Sequence, residues 1–324
     1  MLQQTQVRTV IPYWERWMRE MPDFAAVAHA RPARLHKLWE GLGYYRRVQN
    51  LQKTSRVLME QNAGRMPDQL DQVLELPGIG RYTAGAICSI AYNQPAPILD
   101  GNVIRVLTRL FGILENPKER QTQTLLWQLA EALVKQAAKT DQPDARQCAA
   151  LNQALMELGA LVCLPRQPQC QACPVHQFCV ARERNLTSSL PALPARAAAI
   201  RQNWMAFVLA DRDQICLRQR PAMGINPGLW EFPNAQASES GRSPQEMAHL
   251  VLGFSPLQLE PLGSIQHSIT RYRITLAAYL CLPPYPGKIT SGKWKSWSQL
   301  RRLPLTAAHK KLARIARERM IVCG

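Results

Sequence analysis

Cys163, Cys170, Cys173 and Cys179 stand in a C-x6-C-x2-C-x5-C run, and four thiols in one short loop form the donor set of a metal centre. Structural zinc usually takes its ligands from two separate knuckles, whereas here the only tight pair is Cys170 and Cys173. The outer cysteines lie at unequal distances on either side, as if one loop wrapped a body larger than one ion. That suits a cubane [4Fe-4S] cluster with one thiolate per iron, with zinc as the alternative. Disulfide pairing is disfavoured, because nine cysteines is an odd number and Met1 to Val10 shows no basic region followed by an apolar core. Cys88, Cys148, Cys216, Cys281 and Cys323 are scattered singly, as small apolar packing residues are.

Two other strings could do chemistry. Leu76-Pro77-Gly78-Ile79-Gly80 lies between two apolar helical patterns. Glycine permits positive φ and close approach of a phosphate, and the following helix points its first N–H groups at the anion. Such a hairpin holds a nucleic-acid backbone without reading sequence; the plainer alternative is an αα-turn with glycines for packing. Asp100, followed by Gly101 and Asn102, reads first as a helix N-cap.

The elements that must position these residues divide into two kinds. At 324 residues the chain can bury at least two cores. Residues 1–180 show helical spacing, as in Val7, Val10, Ile11, Trp14 and Trp17, and again in Leu125, Leu126, Leu129, Leu133 and Val134. Both stripes are expected in cores. A Pro- and Ser-containing stretch over 181–202 suits a linker. Beyond it, Met205 to Ala210, Gln214 to Arg218 and Arg271 to Leu282 carry strand patterns separated by turn signals. A mainly α domain followed by an α+β domain over 203–324 is the simplest account. The net charge of +17, with both halves basic, favours a polyanionic partner. The 46% hydrophobic content is that of a soluble globular protein, and no apolar run approaches the roughly 20 residues of a membrane span. A cytoplasmic, nucleoid-associated protein without membrane contact is expected.

The hairpin, then Pro97-Ile-Leu-Asp100-Gly-Asn102-Val103, then the cysteine loop, resemble the helix-hairpin-helix base-excision glycosylases that carry a [4Fe-4S] cluster. Within them the chain is similar to the adenine DNA glycosylase (MutY) family. The resemblance extends to Met1-Leu-Gln-Gln-Thr-Gln-Val, Trp39-Glu-Gly-Leu-Gly-Tyr-Tyr, Asn152-Gln-Ala-Leu and Gly228-Leu-Trp-Glu-Phe-Pro, and so covers nearly the whole chain. It implies a monomer that acts on double-stranded DNA containing A:8-oxoguanine or A:G mispairs. It makes Asp100 the anion that stabilises the oxocarbenium-like sugar left by the departing base, with Asn102 orienting it. Tyr82 stands where the lyase branch has a Schiff-base lysine, which implies a glycosylase that hydrolyses only the N-glycosidic bond. Ile104 likewise stands where some relatives carry lysine. Gln153 would hydrogen-bond the flipped adenine. Gln4 and Tyr44 would wedge into the helix, with Thr5 and Leu42 lining the same surface. Gly78 and Gly80 would hold DNA backbone, and Cys163, Cys170, Cys173 and Cys179 the cluster, with Arg166 presented to phosphate.

The resemblance makes the C-terminal part a Nudix-like lesion-reading domain. It lacks the carboxylate run with which Nudix hydrolases hold Mg²⁺, so nucleotide hydrolysis is not expected. The lesion-contacting stretch is Ile269-Thr270-Arg271, where Thr270 keeps a hydroxyl. The family's general-acid glutamate stands two positions upstream of the residue matching Met1, so the chain reads as N-terminally truncated. As given, it is expected to bind DNA and to excise adenine poorly, with restoration of the upstream segment restoring release.

Overall fold

The computed structural model describes residues 1–2, 5–139, 146–195, 197–211, 213–221, 224–237, 241–287, 289 and 292–323. Its helices begin with α1 (Val7–Glu20), α2 (Phe24–His29), α3 (Pro32–Leu38), α4 (Arg46–Gln61), α5 (Leu70–Leu74) and α6 (Arg81–Tyr92). They continue with α7 (Gly101–Phe111), α8 (Arg120–Ala137), α9 (Gln147–Glu157), a π-helical turn (Leu158–Val162) and α10 (Val180–Glu183). Then follow β1 (Ile200–Asp211), β2 (Gln214–Gln219), β3 (Trp230–Glu231), β4 (Asn234–Gln236), α11 (Pro244–Leu252), β5 (Gln258–Ile269) and β6 (Tyr272–Leu282). β7 (Lys293–Ser296), α12 (Trp297–Leu300) and α13 (Ala307–Cys323) complete the order.

By packing, the chain forms two units, one of residues 1–56 with 197–324 and one of residues 57–196. A boundary drawn at 180 by change of periodicity therefore differs from the boundary drawn by contact. Leu229, from Gly228-Leu-Trp-Glu-Phe-Pro, explains the first unit: it is fully buried in one cluster with Val10, Trp17, Leu35 and Trp39 of the N-terminal helices. Beside it Glu40 accepts from Lys37 Nζ (2.8 Å), Leu305 N–H (3.0 Å) and Lys310 Nζ (3.1 Å). Burial works against the Glu40 carboxylate, yet these donors hold its pKa below the ordinary value. The expected linker over 181–202 is also corrected, because Ala181 and Leu190 are buried and β1 already begins at Ile200.

Only part of the α1 stripe is core. Val10 and Trp17 are buried, while Val7, Ile11 and Trp14 are exposed, because the apolar arc is wider than the edge that packs. On α8, Leu126 and Val134 are buried, Leu129 and Leu133 pack against the core, and Leu125 is exposed.

The sheet runs β3-β2-β1-β6-β5, with β4 on β1 and β7 on β2. β1 and β6 are parallel, β5 and β6 antiparallel. Ala206, Val208, Leu276 and Leu280 line one face, packed with Leu312 and Ala316 of α13. Phe207, Leu209 and Cys281 line the other with Met247 and Leu252 of α11. Glu231, almost fully buried, is held by Arg218 (2.9 Å) and Arg220. Its approach to His309 at 3.9 Å is no ion pair. Burial, aided by Arg220, His267 and Arg218, pushes His309 to about 3, so the ring is neutral at physiological pH and its Nδ1 accepts from Phe232 N–H.

In the 57–196 unit, Gly85 fixes the segment that leads to Asp100. A Cβ at Gly85 would lie 2.0 Å from the Pro97 carbonyl oxygen, so α6 and that segment touch backbone to backbone. Gly85→Ala is expected to cost at least about 1–3 kcal/mol by overpacking, read as a lower denaturation midpoint.

Candidate functional site

Asp100 caps α7. Its Oδ1 accepts from Asn102 N–H (2.9 Å) and Val103 N–H (2.8 Å), which fixes a half-buried carboxylate at a helix start. Among the described residues no hydrogen bond is seen to Oδ2. Tyr82, in the first turn of α6, is half-buried, with its hydroxyl on Met156 Sδ (3.3 Å). Burial first, and then the Asp100 charge, raise its pKa above the ordinary tyrosine value, so the phenol stays protonated. Gln153 lies on an exposed turn of α9, three residues before Met156, with its amide nitrogen on Ala149 O (3.2 Å). The neighbouring Asn152 is buried, donating to Ser89 Oγ (2.8 Å) and Ala96 O (2.9 Å), and so locks α9 to α6. Ile104 packs against the core of this unit.

The hairpin precedes Tyr82 directly. Gly78 has φ of +77°, which L side chains adopt rarely, and Gly80 caps α6 with a bare backbone in open space. Arg81, the first residue of α6, lies 3.9 Å from the Trp127 ring centroid.

Two buried arginines on α7, which the sequence reading passed over, tie Asp100's helix to the cysteine loop. Arg105 donates to Asn102 Oδ1 (2.9 Å), Gly159 O (2.6 Å) and Cys163 O (2.7 Å). Arg109 donates to Cys163 Sγ (3.3 Å), Leu164 O (2.7 Å), Pro165 O (3.3 Å) and Leu190 O (2.9 Å). The available signal was their i, i+4 spacing inside an otherwise apolar helix, where an unpaired cation would be costly. Gly159, in the π-helical turn, allows this approach, since a Cβ there would lie 2.7 Å from Asn102 Cβ.

Cys163, Cys170, Cys173 and Cys179 line one recess with Arg109. Burial, then the charges of the other three thiols, push the Cys173 thiol up from its ordinary value. Among the described residues no three His, Cys, Asp or Glu side chains are arranged to hold a metal ion. The four thiols around this recess supply the soft donor chemistry of a thiolate-held metal centre. Arg166 is exposed.

The 1–56 and 197–324 unit carries the other predicted residues. Tyr44 is exposed at φ of +47°, in a loop held by Trp39 Nε1 to Gly43 O (3.0 Å) and Arg47 to Leu42 O (3.2 Å). Leu42 corrects the expectation of a surface position: it is buried in the helical core, because the tight turns at Gly41 and Gly43 direct it inward while Tyr44 faces out. Thr5 is half-buried, and Gln4 lies outside the described residues. Thr270 and Arg271 form the exposed two-residue turn of the β5–β6 hairpin, so Arg271 begins no strand. Thr270 has φ of +51°, unusual for a β-branched residue. On α11, Glu246 is engaged in a capping box with Ser243.

No helix among the described residues is long and apolar enough to cross a membrane. Residues 1–132 match the HhH-GPD superfamily of base excision DNA repair proteins, and residues 204–314 match the NUDIX domain. The adenine DNA glycosylase of Rattus norvegicus is 34% identical over 371 residues, covering 98% of this chain and 70% of that protein. The adenine DNA glycosylase of Homo sapiens is 33% identical over 370 residues, covering 97% and 66%. Among solved structures, a thermostable thymine-DNA glycosylase is 27% identical with a TM-score of 0.48, covering 56% of this chain and 80% of that one. On the extent and identity of the matches to the adenine DNA glycosylases, the chain belongs to that family, base-excision repair hydrolases that act on N-glycosyl bonds.

Proposed function

We propose that this glycosylase removes adenine paired with 8-oxoguanine or guanine, with Asp100 as the anion that meets the sugar cation. The observation that carries this reading is the capped carboxylate: Oδ1 is held by two backbone N–H groups, which leaves Oδ2 for the substrate. Adenine must leave the stack before its glycosidic bond can be reached, and the exposed, left-handed Tyr44 suits a wedge that fills the gap, a role in which Thr5 and Gln4 are proposed to assist. The Gln153 amide offers a donor and an acceptor matched to the adenine edge. As the bond breaks, positive charge develops on the anomeric carbon, and a preorganised carboxylate needs no rearrangement to stabilise it. Asn102 holds Arg105 beneath this site, and the protonated Tyr82 phenol is suited to positioning the sugar. Neither Tyr82 nor Ile104 can form an imine with an abasic site, which favours hydrolysis alone. Gly78 and Gly80 are both exposed and leave the start of α6 open to a DNA phosphate, with Arg166 as a further cation. Thr270 at the hairpin tip is the residue proposed to read 8-oxoguanine.

Cys163, Cys170, Cys173 and Cys179 would hold a [4Fe-4S] cluster, which when bound staples the loop and neutralises its crowded thiolates. Metal analysis of the purified protein is expected to give iron and inorganic sulfide in equal amounts. One zinc per chain without iron would overturn the cluster in favour of a single ion.

Asparagine caps helices about as well as aspartate, whereas alanine loses about 1 kcal/mol. Asp100→Asn should therefore keep stability and duplex affinity while slowing single-turnover adenine release on the order of 10²–10³-fold. Unchanged release in both variants, with stability lost only in Asp100→Ala, would leave Asp100 the cap alone.

Left-handed backbone at a non-glycine residue costs roughly 1–3 kcal/mol. Thr270→Gly is expected to raise the unfolding midpoint while narrowing the preference for 8-oxoguanine over guanine opposite adenine, measured by competition binding.

A further inference from the structure

One face of the sheet changes character along its length. Toward one end Phe207, Leu209 and Cys281 are covered by α11. At the other end the same face carries Arg201 and Asn203 of β1, Arg273 and Thr275 of β6, and Gln266 and Ser268 of β5, all exposed or half-exposed. The parallel register sets Arg201 directly beside Arg273, and the antiparallel register sets Ser268 on Arg273's other side. Like charges paired across strands oppose the sheet unless an anion lies between them. Among the described residues neither arginine has an ion pair. Residues 200–205, 264–269 and 270–275 contain no Asp or Glu, and Arg271 at the hairpin tip adds a further cation.

We propose that this open half-face, centred on Arg201 and Arg273, seats the sugar–phosphate backbone of duplex DNA beside the β5–β6 hairpin tip. The proposal rests on membership of a DNA glycosylase family. Two guanidinium forks about one strand spacing apart can share a phosphate through paired hydrogen bonds. Asn203, Thr275, Gln266 and Ser268 supply the neutral donors that usually accompany such contacts. The outward residues of this half-face are polar, so an apolar partner has nothing to bury there. The arginines would fix the register of the hairpin on the duplex without reading sequence.

The test is fluorescence-anisotropy binding of duplexes with A:8-oxoguanine and with undamaged pairs, at several salt concentrations. In R201Q/R273Q, Kd is expected to rise on the order of 10-fold for both duplexes, and the slope of log K against log salt to shrink by about 1–2. The unfolding midpoint should stay or rise, because a repulsive pair is removed. The control K311Q/R314Q removes the same charge from α13, on the opposite face of the sheet, and should change Kd much less. An unchanged Kd and slope in R201Q/R273Q, as an acidic protein partner would give, overturns the proposal. So does an equal loss in the control, or a lowered midpoint in R201Q/R273Q. Failure of the parent protein to bind either duplex would overturn the DNA-glycosylase reading with it, whereas binding kept by parent and double variant alike removes only the phosphate seat.

Discussion

The bond on which the 57–196 unit depends is the cap that Asp100 places on α7. A helix start leaves four N–H groups without partners, and Oδ1 of Asp100 satisfies two of them. That contact is worth only about 1 kcal/mol as a cap. It also fixes where α7 begins, and with it the positions of Asn102, Arg105 and Arg109 one to two turns along. Because one carboxylate serves both fold and proposed chemistry, its orientation is settled before any substrate arrives.

The arginines extend this constraint to the cysteine loop. A buried guanidinium is tolerable only if its N–H groups find acceptors, and carbonyl oxygens of an irregular loop are acceptors with no other obligation. Arg105 and Arg109 collect Gly159, Cys163, Leu164, Pro165 and Leu190 in this way. Lysine has no planar fork and could not span that set. The loop between Val162 and Val180, nearly devoid of regular structure, is thereby held by cations on the side where its four thiols line a recess.

Much of this was legible in the residue order, for reasons that differ by element. The hairpin, the cap and the cysteine run are short-range patterns whose chemistry is contained in a few neighbouring residues. Strands at Met205–Ala210 and Gln214–Arg218 also emerged from local β-branched and aromatic content, each inside an observed strand, although β1 begins earlier, at Ile200. β5 did not, because Gln258–Ile269 alternates only weakly and draws its stability from pairing with β6. Leu42 was misread for a similar reason: which way a residue between two positive-φ glycines points depends on backbone angles that spacing does not encode. The packing of residues 1–56 with 197–324 was hidden most completely. It rests on Leu229 and Glu40, single residues whose partners lie about two hundred positions away or more along the chain.

Left-handed backbone at non-glycine residues recurs at several turns and helix ends, and two of these positions, Tyr44 and Thr270, stand at exposed tips. Tyr44 and Thr270 both hold left-handed backbone that glycine would adopt at no cost, each at a price of roughly 1–3 kcal/mol. Neither is loosely held. Tyr44 sits among hydrogen bonds donated by Trp39 and Arg47 and one from Gly41 N–H to the Tyr45 hydroxyl, and Thr270 ends a hairpin whose ladder runs unbroken from Ser264 to Ala277. A turn under no other demand would relax this strain by a single substitution to glycine or asparagine. Keeping an aromatic ring at one tip and a hydroxyl at the other makes sense where the side chain itself is needed, standing clear of the surface on a backbone that cannot swing away.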